Sequence, residues 1–204
     1  VEAKEMKTIG LTFLLAAALF SQAPPAAAPA NAWRIDPLHS QANFTVRHMM
    51  ISTVRGTFGG VRGAIIYDAK NPAASTVEAT IDCTTLNTGE PKRDNDLKGE
   101  EFFDVKKYPA MKFRSKSVQA VSKGNLKVTG DLTINAITKQ VVLTLDGPTD
   151  EIKDTNNRIK IGATATTQIS RKEYGILYNP IMEAGGVAVS DEVKITLDIE
   201  LIKN

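Results

Sequence analysis

Two histidines, one cysteine and a dense run of charges are the residues of this chain with chemistry to offer. His39 follows Asp36-Pro37-Leu38 and precedes Ser40, so a His–Ser–Asp hydrolase can be drawn on paper. A triad works by convergence in space, which adjacency along a chain does not supply, and no G-x-S-x-G elbow accompanies it. The alternative is a turn: Asp36 and Ser40 bond the turn backbone while His39 caps a buried polar network. His48 ends the face Phe44-Val46-His48, as a satisfied core histidine or as a polar contact for a bound head group. Cys83 closes the series Val77, Ala79, Ile81, Cys83, which reads as an inward strand face. A metal centre needs three or four converging ligands, and these residues give no such spacing. Asp94, Asp96, Glu100 and Glu101 lack the glycine and ligand spacing of a calcium loop. No metal and no cofactor are expected.

The charges concentrate in Arg93-Asp94-Asn95-Asp96-Leu97-Lys98-Gly99-Glu100-Glu101-Phe102-Phe103-Asp104, with Tyr108-Pro109 just beyond. Such a segment suits a charged lid beside an apolar mouth. Arg93 and Asp94 read as a pair tying a helix to strand backbone. Arg55, Arg171 and Lys172 stand among or near apolar residues. An arginine at a barrel mouth would suit a phosphate or a quinone carbonyl, although a solvated surface would carry the same residues.

The elements that must position these groups are strands. Val193, Ile195, Leu197, Ile199 and Leu201 alternate with polar residues, as do Leu126, Val128, Leu132 and Ile134, and shorter runs around Phe44, Met111 and Ile161. Period two marks strands with one buried face. Turn signals at Asp36-Pro37, Gly59-Gly60, Asn71-Pro72, Lys123-Gly124-Asn125, Gly147-Pro148, Asn156-Asn157 and Gly185-Gly186 separate them. Eight or so strands with short connections predict an all-β antiparallel barrel or sandwich. One helical insertion is expected at about 90–104, starting from Thr88 or Gly89 with Pro91 in its first turn. Several positions read as inward are small: Ala42, Ala64, Ala79, Ala163 and Ala165. Small residues leave room inside a barrel; they also occur where two sheets pack closely.

Residues 1–30 read as an export signal. Met6-Lys7 opens it, Ile9 to Phe20 is an apolar run too short to span a bilayer, and cleavage is expected after Ala30 or Ala32. Val1 to Glu5 read as an over-extended start. The expected location is the periplasm. About 170 residues remain, enough for one domain with a sizeable core. A formal net charge of +2 gives no footing for nucleic acid, and no polybasic block points to a membrane surface. No stable membrane insertion is expected. A homodimer through an exposed edge strand is compatible with the pattern, which does not demand one.

From Trp33 to Ile202 the chain resembles the YceI-like family of bacterial polyisoprenoid-binding proteins. The resemblance runs through Trp33–Ser40, Phe44–His48, Val54–Phe58, Arg93-Asp94 with Phe102–Asp104, Tyr108–Phe113, Gly124–Leu132 and Arg171–Gly175. It implies an eight-stranded antiparallel lipocalin-like β-barrel with a long apolar tunnel. It also implies a polyisoprenoid ligand, such as an isoprenoid quinone or a prenyl phosphate, and does not imply an established enzyme activity; no enzyme is expected. Where the family usually has histidine after Arg-Asp-x, this chain has Asp96; if that histidine helps hold a head group, an acid there would disfavour a pyrophosphate by like-charge repulsion and favour a neutral quinone head. The expected tunnel lining is Phe44, Val46, Phe58, Ile81, Phe102, Phe103, Phe113, Leu132, Ile134 and Leu177, each of which a solid core would also place inside. The head-group candidates are His39, His48, Arg55, Arg93 and Asp94. The competing readings are a small lipid-modifying enzyme using His39 or His48, and a sandwich without a cavity.

Overall fold

The computed structural model describes residues 29–180 and 187–204; the apolar run Ile9 to Phe20 and the turn expected at Gly185-Gly186 lie outside them. The strands are β1 (Ala32–Ile35), β2 (Gln41–His48), β3 (Ser52–Phe58), β4 (Arg62–Ile66), β5 (Thr76–Asp82), β6 (Ala110–Ser122), β7 (Asn125–Ile134), β8 (Ile137–Asp146), β9 (Ile152–Lys153), β10 (Ile159–Ser170) and β11 (Val189–Lys203). All pair antiparallel, and β10 pairs with β11 to close the sheet into an eight-stranded barrel. Two of the eight staves are interrupted. β1 and β2 lie end to end along one edge of β11, and β4 and β3 lie end to end beside them. β9 is a two-residue appendage on β10.

The first interruption is the Asp36–Ser40 segment, where Pro37 denies the ladder a donor. Glu200 of β11 holds it from below. Its carbonyl accepts from Asp36 N at 2.8 Å, and its N–H donates to Ser40 Oγ at 2.9 Å. Asp36 Oδ1 accepts from Leu38 N at 3.1 Å, and Asp36 Oδ2 lies 3.0 Å from His39 Nδ1. Lys160 completes the cluster, with its ammonium 2.5 Å from Glu200 Oε1, 3.6 Å from Asp36 Oδ2 and 3.7 Å from Asp154 Oδ2. Burial alone would raise the Asp36 carboxyl, but the His39 and Leu38 bonds and the Lys160 charge outweigh it and hold the group below its ordinary value. Asp36, His39 and Glu200 could be drawn as metal ligands; the Lys160 ammonium is the cation that the two carboxylates already share.

The helix is α1, Pro91–Lys98, shorter than the expected 90–104. Its N-cap is Glu90 rather than Thr88 or Gly89: the Glu90 carboxylate accepts from Lys92 N and Arg93 N, at 3.1 and 2.5 Å. At Gly99 the backbone turns extended and the helix stops. Tight turns then carry the chain to Tyr108, with Phe103 N bonded to Leu97 O and Asp104 N to Gly99 O. Two further expectations shift. Ala64 faces outward, because β4 sends Ile65 into the core. Cys83 lies beyond the end of β5, in a 3₁₀ turn; it is buried, and burial pushes its thiol up to about 11, so it carries no thiolate at neutral pH.

Candidate functional site: the interior of the barrel

The inward faces do not meet in the middle. They enclose an apolar cavity of about 250 Å³ whose wall includes every stave. β11 lines it from Val189 to Leu201, which is about 40 Å of strand and about 30 Å along a barrel axis after strand tilt. The site is therefore long and narrow. Four of the five small residues expected to face inward, Ala42, Ala79, Ala163 and Ala165, lie on its wall.

Two glycines set the aromatic lining. Gly56 sits opposite Phe44 across the β2–β3 ladder. A Cβ at Gly56 would collide with the Phe44 ring and lie 2.9 Å from Thr88 Cγ2. Gly130 plays the same part for Phe113, whose Cζ would be 2.5 Å from an added Cβ. Each ring thus occupies space that a side chain at the glycine would otherwise take. At the upper end Phe44, Phe58 and Phe103 form a chain, with centroids 5.6 and 5.2 Å apart and an edge-on contact at the second step. Aromatic pairs prefer such offset or edge-on geometry. Asn135 Nδ2, in the β7–β8 turn, donates to Phe102 O at 2.6 Å and ties the Phe102-Phe103 segment over the barrel end.

Phe44, Val46, Phe58, Ile81, Phe102, Phe103, Phe113, Leu132 and Ile134 all line the cavity. Leu177 does not. Gly175, at φ 78°, reverses the chain after the 3₁₀ turn Lys172–Tyr174, so Ile176 points in and Leu177 stands 65% exposed.

None of the head-group candidates lines the cavity. His39 is held on the outer face by Asp36. His48 ends β2 exposed, and Arg55 is exposed on β3 opposite Thr45. Arg93 Nε donates to Thr88 Oγ1 at 2.8 Å and Nη2 to Thr88 O at 3.1 Å, while Asp94 Oδ1 accepts from Thr88 N and Thr88 Oγ1 at 2.8 and 2.6 Å. Asn87, next in the chain, exchanges two backbone bonds with Thr57 of β3. Arg93 and Asp94 therefore fasten α1 to the barrel edge. Asp96 is exposed on α1 and away from the wall, so its charge meets no head group inside the tunnel.

The buried polar groups at the upper end are Arg171 and Tyr174. Arg171 donates to the carbonyls of Ser190, Ile176 and Val189, at 2.9, 2.6 and 3.2 Å. Burial lowers its affinity for the proton, against the pull of Asp191. Tyr174 is 1% exposed, and among the described residues its hydroxyl is the one buried side-chain polar atom without a partner. Burial, with Glu173 beside it, pushes the phenol up to about 12, so it is a donor at neutral pH. The sequence marked Arg171 as a basic residue suited to a barrel mouth and held Tyr174 within the Arg171–Gly175 stretch of the resemblance, but gave neither a place in the site. The signal that was available is the sequence Arg171–Gly175 itself, a charge and an aromatic placed just after an inward-lined strand.

Residues 33–201 match the model of the YceI-like domain. The chain belongs to the YceI-like family. It is 32% identical over 165 residues to a UPF0312 protein of Ectopseudomonas mendocina, covering 81% of this chain and 83% of that one. It is 39% identical over 137 residues to Protein YceI of Escherichia coli, covering 66% and 69%. Among solved structures it resembles BcnA of Burkholderia cenocepacia (TM-score 0.69, 20% identity, 81% and 98% covered). It also resembles the YCEI protein of Campylobacter jejuni (TM-score 0.62, 27% identity, 78% and 90% covered). A polyisoprenoid binding domain from Saccharophagus degradans has the same fold (TM-score 0.59, 14% identity, 84% and 98% covered).

Proposed function

We propose that this YceI-like protein is a periplasmic carrier that sequesters a polyisoprenoid lipid, an isoprenoid quinone or a prenyl phosphate, in the interior of its barrel. The observation that carries the reading is the enclosed, elongated apolar cavity. Each buried CH₂ of a tail contributes about 0.8 kcal/mol before association costs are subtracted, so a few isoprene units suffice for retention. Shape then sets affinity more than hydrogen bonding does. The polyisoprenoid binding domain of Saccharophagus degradans shares this fold and supports the choice of ligand class.

The histidines give little support to an enzyme. Ser40 Oγ is engaged by the Glu200 backbone, donating to its carbonyl at 3.3 Å and accepting from its N–H, and His39 lies on the outer face away from the lumen. Export fits a carrier of envelope lipids. Of the two cleavage sites, the one after Ala30 keeps β1 whole: Ala32 is buried, pairs with Ile66, and its carbonyl accepts from Asn204 N at 3.0 Å. Organic extraction of the protein purified from its native host, followed by mass spectrometry, tests the proposal. A co-purifying polyisoprenoid is the expected result, and protein that carries no lipid overturns it. The mass of the intact protein reports the processed N-terminus.

A further inference from the structure

The barrel wall is not sealed throughout. β8 and β10 pair only at Thr144–Asp146 with Thr164–Thr166. Beyond that point β10 continues to Ser170 with β11 alone, and β8 continues to Ile137 with β7 alone. Two strand edges therefore face each other without a ladder, and unpaired edges of this kind need another cover. The cover is the 3₁₀ turn Lys172–Tyr174.

A polar groove lies on the outer surface over this seam, lined by Lys139, Gln140, Gln168 and Lys194 among others. The groove and the tunnel share Val141, Thr167, Ile169, Tyr174 and Ile195 as common walls. Tyr174 is thus the partition between an apolar interior and a polar exterior, and its buried hydroxyl has nothing to bond. A buried unsatisfied donor is costly, and one placed on such a boundary has a use if an acceptor arrives. Among the described residues neither Lys139 nor Lys194 forms an ion pair. Glu173 is the acid on this rim; the groove keeps a net positive balance.

We infer that the β8–β10 seam is a side opening through which the head of a tunnel-bound lipid reaches an outer anion site, formed by Lys139, Lys194, Gln140, Gln168 and the Tyr174 hydroxyl. The head it fits is a phosphate, with several acceptor oxygens and negative charge. This rests on the carrier reading and extends it from tail to head.

The test compares a polyprenyl phosphate with the polyprenol of the same chain length, each titrated into delipidated protein. The phosphate is expected to bind more tightly, with a preference that falls as salt rises. Lys139→Gln with Lys194→Gln should cut phosphate affinity by about five- to tenfold, from two exposed charge contacts, and leave the polyprenol unchanged. Tyr174→Phe keeps the ring as partition. It should weaken the phosphate while raising the melting temperature of the lipid-free protein, since an orphan donor is removed. Equal binding of the two lipids, a preference that survives the lysine changes, or a Tyr174→Phe variant unaltered in phosphate binding would each overturn the side opening and leave the carrier standing. Failure of both lipids to bind would remove the carrier reading, and this inference with it.

Discussion

Consecutive residues of β10 and β11 build two opposite environments. Ile161 and Leu201 are paired in the ladder and face the lumen; Lys160 and Glu200, one residue earlier in each strand, meet on the outer face. The inner side is apolar and leaves a space unfilled. The outer side is a packed set of charges, with Lys160 serving Glu200, Asp36 and Asp154 at once. The polar set holds the barrel shut where Asp36–Ser40 interrupts its first stave, so the inner faces need not pack together to close it. Capacity and closure are thus assigned to different faces of the same strands, and substitutions should separate them.

The largest effect is expected from filling the space. Ala165 is buried on β10, between Leu145 and Leu197, and lines the cavity. Ala165→Phe places a ring where the tail should lie. Lipid retention should fall by more than about tenfold, while stability changes by less than the 1–3 kcal/mol typical of overpacking a solid core, because the ring enters a void. Parallel measurement of lipid content and unfolding midpoint checks this, and an equal loss in both would make Ala165 ordinary core.

Lys160→Met should do the reverse. It leaves Asp36 and Glu200 without the ammonium they share, while Asp154 keeps Arg158, and removing one partner of a buried pair is more damaging than replacing the whole pair. The unfolding midpoint at neutral pH should drop while folded protein keeps its lipid capacity. The deficit should narrow in acid, where the stranded carboxylates take up protons.

Gly56→Ala lies between the two faces in its consequences. The added methyl must displace the Phe44 ring, Thr88 or both. An overpacking cost of about 1–3 kcal/mol should accompany a measurable loss of lipid retention, since the ring has only the lumen to move into. Phe44→Leu in the same background should restore part of the stability.

Period-two patterning made the strands and the inward faces legible, because alternation on a half-buried strand is a direct consequence of the pleat. It placed the phenylalanines on the cavity wall but failed at Ala64, at Cys83 beyond the end of β5, and at Leu177, where Gly175 and not periodicity sets direction. It could not show that β1/β2 and β4/β3 share staves, because stave membership depends on the registers of β1 and β2 with β11, whose contacts at the interruption span 155 and 160 residues of sequence. The head-group candidates lie off the cavity wall for a related reason. His39, Arg93 and Asp94 are polar residues beside turns, and sequence cannot tell a turn-binding side chain from a ligand-binding one. Arg171 was legible as a basic residue near apolar ones, but its bonds to backbone carbonyls and the unpartnered Tyr174 hydroxyl depend on the folded surroundings.

The smallest effect is expected from acid. Asp36 is held below its ordinary value of 3.8, so its contribution to stability is complete above the unfolded-state value and is lost as pH falls through the folded one. Asp36→Asn removes the charge that His39 and Lys160 face, but keeps a side-chain oxygen for Leu38 N. The variant should be less stable than the parent at neutral pH. The gap should close below about pH 3.8, where the parent's carboxyl is also becoming neutral. Unfolding midpoints for both proteins from pH 7 down to the acid transition would measure this. Parallel curves, with the gap unchanged in acid, would mean that Asp36 acts through its shape in the turn and not through its charge.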